Sequence, residues 1–168
     1  MLTETASKNS VEVYLNTWQY YNEGGLGFGW MKPEEALNFM ESHPNFKGGE
    51  YFIADIDSLG TSIASLELCN AADTCKALVE FEELDESERL HAAALAECEG
   101  CTLQEALDHL DDHVFYDSVD DFFDCVDEMM QEDLADVPQH IIDYIDWDRW
   151  HEDCLMDYFT AKNGVVYC

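Results

Sequence analysis

The sequence predicts an elongated α+β protein: a small N-terminal sheet with one helix, a central helical domain and a C-terminal α+β domain. Three observations predict it. Near the start Val11, Val13 and Leu15 interleave with Glu12, Tyr14 and Asn16, the period-two alternation of a half-buried strand. From Thr61 to about Leu110 the chain turns to Ala, Leu, Cys and Glu at helical spacing. Beyond residue 113, short β-type runs bracket further helical stretches. These shifts divide the chain at 1–60, 61–112 and 113–168.

Residues 1–10 are polar and read as a frayed start. After the first strand, the turn Asn22-Glu23-Gly24-Gly25 leads into a second strand over 27–31. Pro33 suits the first turn of a helix whose apolar face is Ala36, Leu37, Phe39 and Met40. Pro44 lies past its end, Gly48-Gly49 turn the chain, and 51–56 form a third strand. The middle holds three or four short helices. One breaks at Leu84-Asp85, where Asp85 caps a helix over 86–99 that Gly100 ends; Thr102 and Glu105 make a capping box for the next. A short strand follows at 114–116, Ser118 caps a helix reaching about residue 130, Pro138 starts another, and 147–156 continues helical. The tail is a hairpin, 158–160 and 165–167, turning at Lys162-Asn163-Gly164.

The 168 residues are 47% hydrophobic and 12% aromatic, enough to bury a core, so the acids sit on a fold and not in a disordered tail. The formal net charge is −31, and so much like charge strains a compact state. Duplex DNA carries one charge per about 1.7 Å of axis, so thirty-one charges match about 53 Å of duplex. A compact domain of this length is only about 30–40 Å across; charge spread over a longer body repels itself less. From Asp108 to Asp157 the acids recur with Arg149 as the sole Lys or Arg among them, and aromatic and aliphatic residues interleave throughout. On a helix, carboxylates at i, i+3 and i+4 stand roughly 5–6 Å apart along one face.

Seven cysteines and a polar start without a secretory leader point to the reducing cytoplasm. No apolar run approaches the ~20 residues that span a bilayer, and anionic head groups repel an anionic protein, so no membrane association is expected. Cys98 and Cys101 form C-x-x-C without a second pair, which reads as free, partly buried thiols instead of half a zinc site. His109 and His113 stand at i and i+4 but lack the glutamate of H-E-x-x-H. Asp55, Asp57 and Gly60 open like a calcium loop, yet Leu59 and Leu66 occupy positions that need oxygen ligands. The glycines between 24 and 29 match no phosphate-binding pattern, and no serine sits in G-x-S-x-G. No catalytic residue, metal or cofactor is expected.

Several segments together resemble the ArdA antirestriction family. They are Val13-Tyr14-Leu15-Asn16-Thr17-Trp18, Tyr21-Asn22-Glu23-Gly24, Gly29-Trp30, Glu50-Tyr51-Phe52-Ile53-Ala54-Asp55, Glu83-Leu84-Asp85, Val137-Pro138, Tyr144-Ile145-Asp146 and Asp153. Tyr20 and Glu152 stand where that family commonly carries lysine and arginine, so this chain is more acidic than many members. The resemblance implies an elongated three-part homodimer, joined through its C-terminal region, that imitates bent B-form DNA. It implies a partner too: the DNA-binding groove of a type I restriction-modification enzyme, the methyltransferase-specificity complex, met in a bacterial cytoplasm by a protein carried on a mobile element. No direct nucleic-acid binding follows.

On that reading the carboxylates that face the partner are Asp55, Asp57, Glu80, Glu82, Glu83, Asp85, Glu86, Glu88, Asp108, Asp111 and Asp112. With them go Asp117, Asp120, Asp121, Asp124, Asp127, Asp133, Asp136, Asp143, Asp146, Asp148, Glu152, Asp153 and Asp157. Val137, Ile141, Tyr144, Ile145 and Trp147 are the candidates for the dimer interface. Two other readings compete: mimicry aimed at another DNA-binding target, such as a nucleoid protein or CRISPR effector, and an acidic metal-binding or salt-adapted domain.

Overall fold

The computed structural model describes residues 10–63 and 70–167. It is α+β, with two three-stranded antiparallel sheets and helices in the connections within each sheet and between the two. Strand β1 (Glu12–Thr17) is the middle of the first sheet, flanked by β2 (Trp30–Met31) and β3 (Tyr51–Asp57). Val11, Val13 and Leu15 are fully buried, as the alternation requires. The register pairs Tyr14 with both Trp30 and Asp55 and slips after Tyr14, so that Leu15 meets Ile53 and Ala54 is left as a bulge.

Two features of this region differ from the sequence expectation. Thr17 ends β1 and caps a one-turn helix, α1 (Trp18–Asn22), by accepting the Tyr20 N–H. So short a helix leaves no periodicity to read. The second strand is only two residues long because Gly27 and Gly29 have φ of 94° and 98°, outside the range of a strand. Gly27 lies where a side chain would collide with the Tyr14 ring. Helix α2 (Pro33–Ser42) begins at the expected proline and buries Ala36 and Met40, while Glu35 accepts the Lys32 N–H at 3.3 Å.

Residues 61–63 are not helical, and the expected helical stretch over 64–69 lies outside the described residues. Helix α3 (Ala71–Glu83) follows, burying Ala71, Cys75, Leu78 and Phe81 along one face. Helix α4 (Glu86–Glu99) begins as predicted: Asp85 accepts the Glu88 N–H at 2.9 Å and Glu88 accepts the Asp85 N–H at 3.0 Å. It ends at Gly100, whose φ of 63° is left-handed. Thr102 and Glu105 repeat the reciprocal cap for α5 (Leu103–Asp108).

One hydrophobic cluster joins Val11, Val13, Leu15 and Ile53 of the sheet to Met40, Leu78, Phe81, Ala92 and Leu103. Sheet and central helices therefore share a core across residue 60. A second cluster packs Ala94, Leu95, Ala96 and Ala106 against Val166. Ala92 through Ala96 are all at 0% exposure, so α4 is buried on two sides, and its alanines let neighbouring elements come close.

In the C-terminal sheet β6 (Gly164–Val166) lies between β4 (Phe115–Tyr116) and β5 (Phe159–Ala161). The hairpin is offset by one residue from expectation: Gly164 is inside the strand, pressed so near the Phe115 ring and the Tyr116 carbonyl that any side chain would clash. Ser118 caps α6 (Val119–Asp133), accepting the Asp121 N–H at 3.1 Å. The anchor of α6 is Phe122, fully buried against Tyr158 at 4.7 Å between ring centroids. After it come α7 (Gln139–Ile142), which starts at Pro138, and α8 (Trp147–Leu155), capped by Asp146 accepting the Arg149 N–H at 3.2 Å. Among the described residues no helix is long and apolar enough to cross a membrane.

The cysteines need a correction. Cys98 is disulfide-bonded, not a free thiol, and Cys101 is free, so the C-x-x-C pair is not closed on itself. Whether a thiol is bridged depends on which other cysteine the fold brings within reach, which spacing alone does not encode. Cys75 is a free, fully buried thiol in the main cluster, and burial pushes its ionisation up to about 12. The thiolate is the reactive form, so Cys75 is expected to resist alkylation in the native protein and react only on unfolding. Mass-spectrometric mapping of iodoacetamide adducts with and without urea checks this; rapid native labelling of Cys75 would contradict it.

Candidate partner-binding surface

Every nominated carboxylate is exposed except Asp57, Glu82 and Asp127, which are half-buried. Among the described residues the buried polar side chains are Asn16, Thr17, Thr61 and Thr74. The helices push the acids outward because their inner faces are taken by apolar residues. On α6, with Phe122 inward, Asp120 and Asp124 lie on the opposite side at i and i+4. Glu128 and Glu132, which are outside the expected set, continue that i+4 ridge and are exposed. Their i+4 spacing was legible; which side of α6 faces out was not. Successive members are about 6 Å apart along the helix axis.

The acids disregard what would stabilise the helices that carry them. Carboxylates are favourable at a helix N-terminus and unfavourable at its C-terminus. Asp85, Glu86 and Glu88 obey this at the start of α4. Glu80, Glu82 and Glu83 break it at the end of α3, as do Glu132 and Asp133 at the end of α6, and neither helix has a basic residue in its last turn.

Cations do little to cancel this charge. Lys47 pairs with Glu23 at 3.2 Å and Lys76 with Asp73 at 2.7 Å. These ion pairs and their hydrogen bonds hold the Glu23 carboxyl low, through Gln19 first and then Lys47, and the Asp73 carboxyl low, through Lys76 first and then Asn70. Neither acid was nominated. Of those that were, Asp153 faces Arg149 at 3.8 Å, and on α6 no carboxylate meets a Lys or Arg among the described residues. Other acids of the expected set accept from neutral donors: Glu80 and Asp108 both from Gln104, Asp117 from Ser87 at 2.7 Å, and Asp143 from Gln139 at 3.0 Å.

Asp127 is different from its neighbours. Its carboxylate lies 2.7 Å from Nε2 of His151, whose ring stacks on Phe123 at 4.1 Å, so it ties α6 to α8. Asp111 and Asp112 sit in a 3-10 turn, Leu110–Asp112, after α5. Because α5 stops at Asp108, His109 and His113 share no helical face; His109 meets Asp112 at 3.2 Å and His113 meets the Tyr167 carbonyl at 2.9 Å. Asp55 and Asp57 belong to β3 and not to a loop, with Asp55 accepting the Ile56 N–H at 2.9 Å. Asp133 and Asp136 end α6 and its connection, and Asp148, Glu152 and Asp157 are exposed on and just after α8. Of the dimer candidates, Ile141 is 50% and Tyr144 86% exposed, whereas Val137, Ile145 and Trp147 are half-buried.

A half-buried titratable group lies on α4. His91 on α4 stacks on Phe115 at 4.9 Å with its Nε2 buried and without a hydrogen-bond partner. Burial, and then the nearby His113, lower its pKa. Below the ordinary histidine value of about 6.5 the unfolded chain takes up a proton that the folded chain refuses, so stability falls as pH drops from there toward the lowered value. His91→Phe keeps the stacking and removes the orphaned nitrogen. It is expected to leave stability at pH 7 unchanged or higher and to flatten the decline below about pH 6.5. Urea midpoints across that range test this, and an equally steep decline in the variant would refute it.

A family model described as Antirestriction protein (ArdA) matches residues 13–167. No curated protein matches the chain.

Proposed function

Since the chain belongs to the ArdA antirestriction family, we propose that it inhibits without catalysis, its carboxylates taking the place of DNA phosphates in the groove of a type I restriction-modification enzyme. The observation that carries this reading is the exposed, largely uncancelled acidic surface that runs against helix-dipole preference. A basic groove that binds phosphates through many Lys and Arg contacts gains from a similar array of carboxylates and needs no base to be read. The acids act together, and Asp127, Asp85 and Asp146 serve the fold as well, as latch and caps. The site of action is the bacterial cytoplasm.

We further propose a homodimer formed through the α7–α8 region, where Ile141 and Tyr144 are exposed, with the acidic surfaces held apart in an elongated particle. Sedimentation velocity reports both mass and shape. The function itself is tested by competition: the purified chain is titrated into a purified methyltransferase-specificity complex bound to fluorescent duplex. Displacement that weakens steeply with added salt is expected. Failure to displace DNA at low salt, or inhibition that excess DNA does not relieve, would remove the reading.

A further inference from the structure

The outer face of the first sheet carries aromatic rings where a solvated sheet carries polar side chains. With Val11, Val13 and Leu15 turned inward, Glu12 and Tyr14 of β1 lie on the other face, partly open to solvent, while Asn16 on that face is covered. Cross-strand partners share a face, so Tyr14 stands in one row with Trp30 and Asp55, and Phe52 is opposite Asn16. The Tyr14 and Trp30 rings meet edge to face at 5.5 Å. At the end of β1, Trp18 stacks over Phe52 at 4.1 Å, and Tyr21 meets both rings edge-on at 6.3 and 6.0 Å. Trp18, Tyr21 and Trp30 are nonetheless 40%, 58% and 43% exposed. The result is two neighbouring aromatic groups, Tyr14 with Trp30 and Trp18 with Tyr21, on either side of the buried Asn16 and Phe52, with the Asp55 carboxylate in the row of the first.

Exposed apolar patches with polar rims mark interaction sites, and Trp and Tyr are the residue types on which binding energy concentrates. Charge narrows the occupant. Nucleic acid, which stacks its bases on such platforms when a basic groove tracks its backbone, is repelled by Asp55 and by the net charge of −31. A second copy of the chain brings the same charge. A cationic protein surface suits both components, because a guanidinium lies flat on an indole or phenol while its edge bonds a carboxylate. We propose that this face is a second contact surface that takes arginine side chains of the partner, supplying a short-range anchor beside the long-range attraction of the acids. The identity of that partner rests on the reading above; the arginine chemistry does not.

The test uses deca-arginine and deca-lysine as probes with the full-length protein. Carboxylates alone bind both by charge, whereas stacking favours the planar guanidinium. Deca-arginine is expected to bind at least about fivefold more tightly and to quench tryptophan fluorescence. That preference should vanish in Trp18→Ala/Trp30→Ala and shrink in Tyr21→Ala, the more exposed change, with thermal melts confirming that each variant folds. Equal binding of the two peptides by the wild-type protein would overturn the proposal, as would a preference that survives in folded variants. Loss of self-association in those variants would assign the face to a second copy instead. Against the restriction enzyme, the same variants should lose affinity about tenfold with an unchanged salt slope. A wild-type chain that prefers arginine but ignores that enzyme would sink the proposed function and leave the arginine face standing.

Discussion

Changing Asp120, Asp124, Glu128 and Glu132 together to their amides is expected to weaken target binding on the order of 100-fold at low salt. Each substitution alone should cost about 0.7 kcal/mol or less, the range of solvated charge pairs. The four share one exposed i, i+4 ridge of α6 that starts opposite Phe122, and none of them is the cap residue of a helix. The amides are nearly isosteric, so the fold is left in place while four negative charges go. The slope of log affinity against log salt should fall with them, because the groove then keeps counterions that it would otherwise release. Isothermal titration at three salt concentrations separates the possibilities. An unchanged affinity and slope would move the contact surface to the acids at 80–88 or 143–157, and complete loss from any single amide would replace the collective mechanism with a discrete site. Asp127 belongs outside this set, since Asp127→Asn also loosens the His151 link between α6 and α8.

Phe81→Ala is expected to destabilise the protein by about 3–5 kcal/mol, a large share of the total stability of a domain. Phe81 is fully buried in the cluster where the N-terminal sheet, α2, α3 and α5 meet. Truncating it loses the transfer energy of the ring and leaves a cavity lined by side chains from elements distant in sequence, which cannot close it without moving one another. The acidic surface adds to the sensitivity, because self-repulsion already works against the compact state. Urea denaturation followed by far-ultraviolet circular dichroism measures the effect, and a change below about 1 kcal/mol would show that the site collapses or that the two halves of the core do not depend on each other.

Much of this protein is written locally. Asp85 with Glu88, Thr102 with Glu105, and Ser118 each announce a helix start because the bonds they make reach only three residues along the chain. The alternation from Val11 to Leu15 gives β1 for the same reason, at a period of two. The charge and the family are likewise properties of the chain read end to end. The folded structure decided what depends on partners far away. The φ of Gly27 and Gly29 cut β2 short, and the close approach of Phe115 and Tyr116 to Gly164 shifted the last hairpin. The bond at Cys98 also lay beyond what the C-x-x-C spacing could say. Only packing distinguishes Asp124, free on its helix, from Asp127, three residues on and bound to His151. Only the strand register gathers Trp30 and Tyr14 on one face. A pairing across sixteen residues leaves no periodic trace in either segment, whereas a cap or an alternating strand is its own short-range signal.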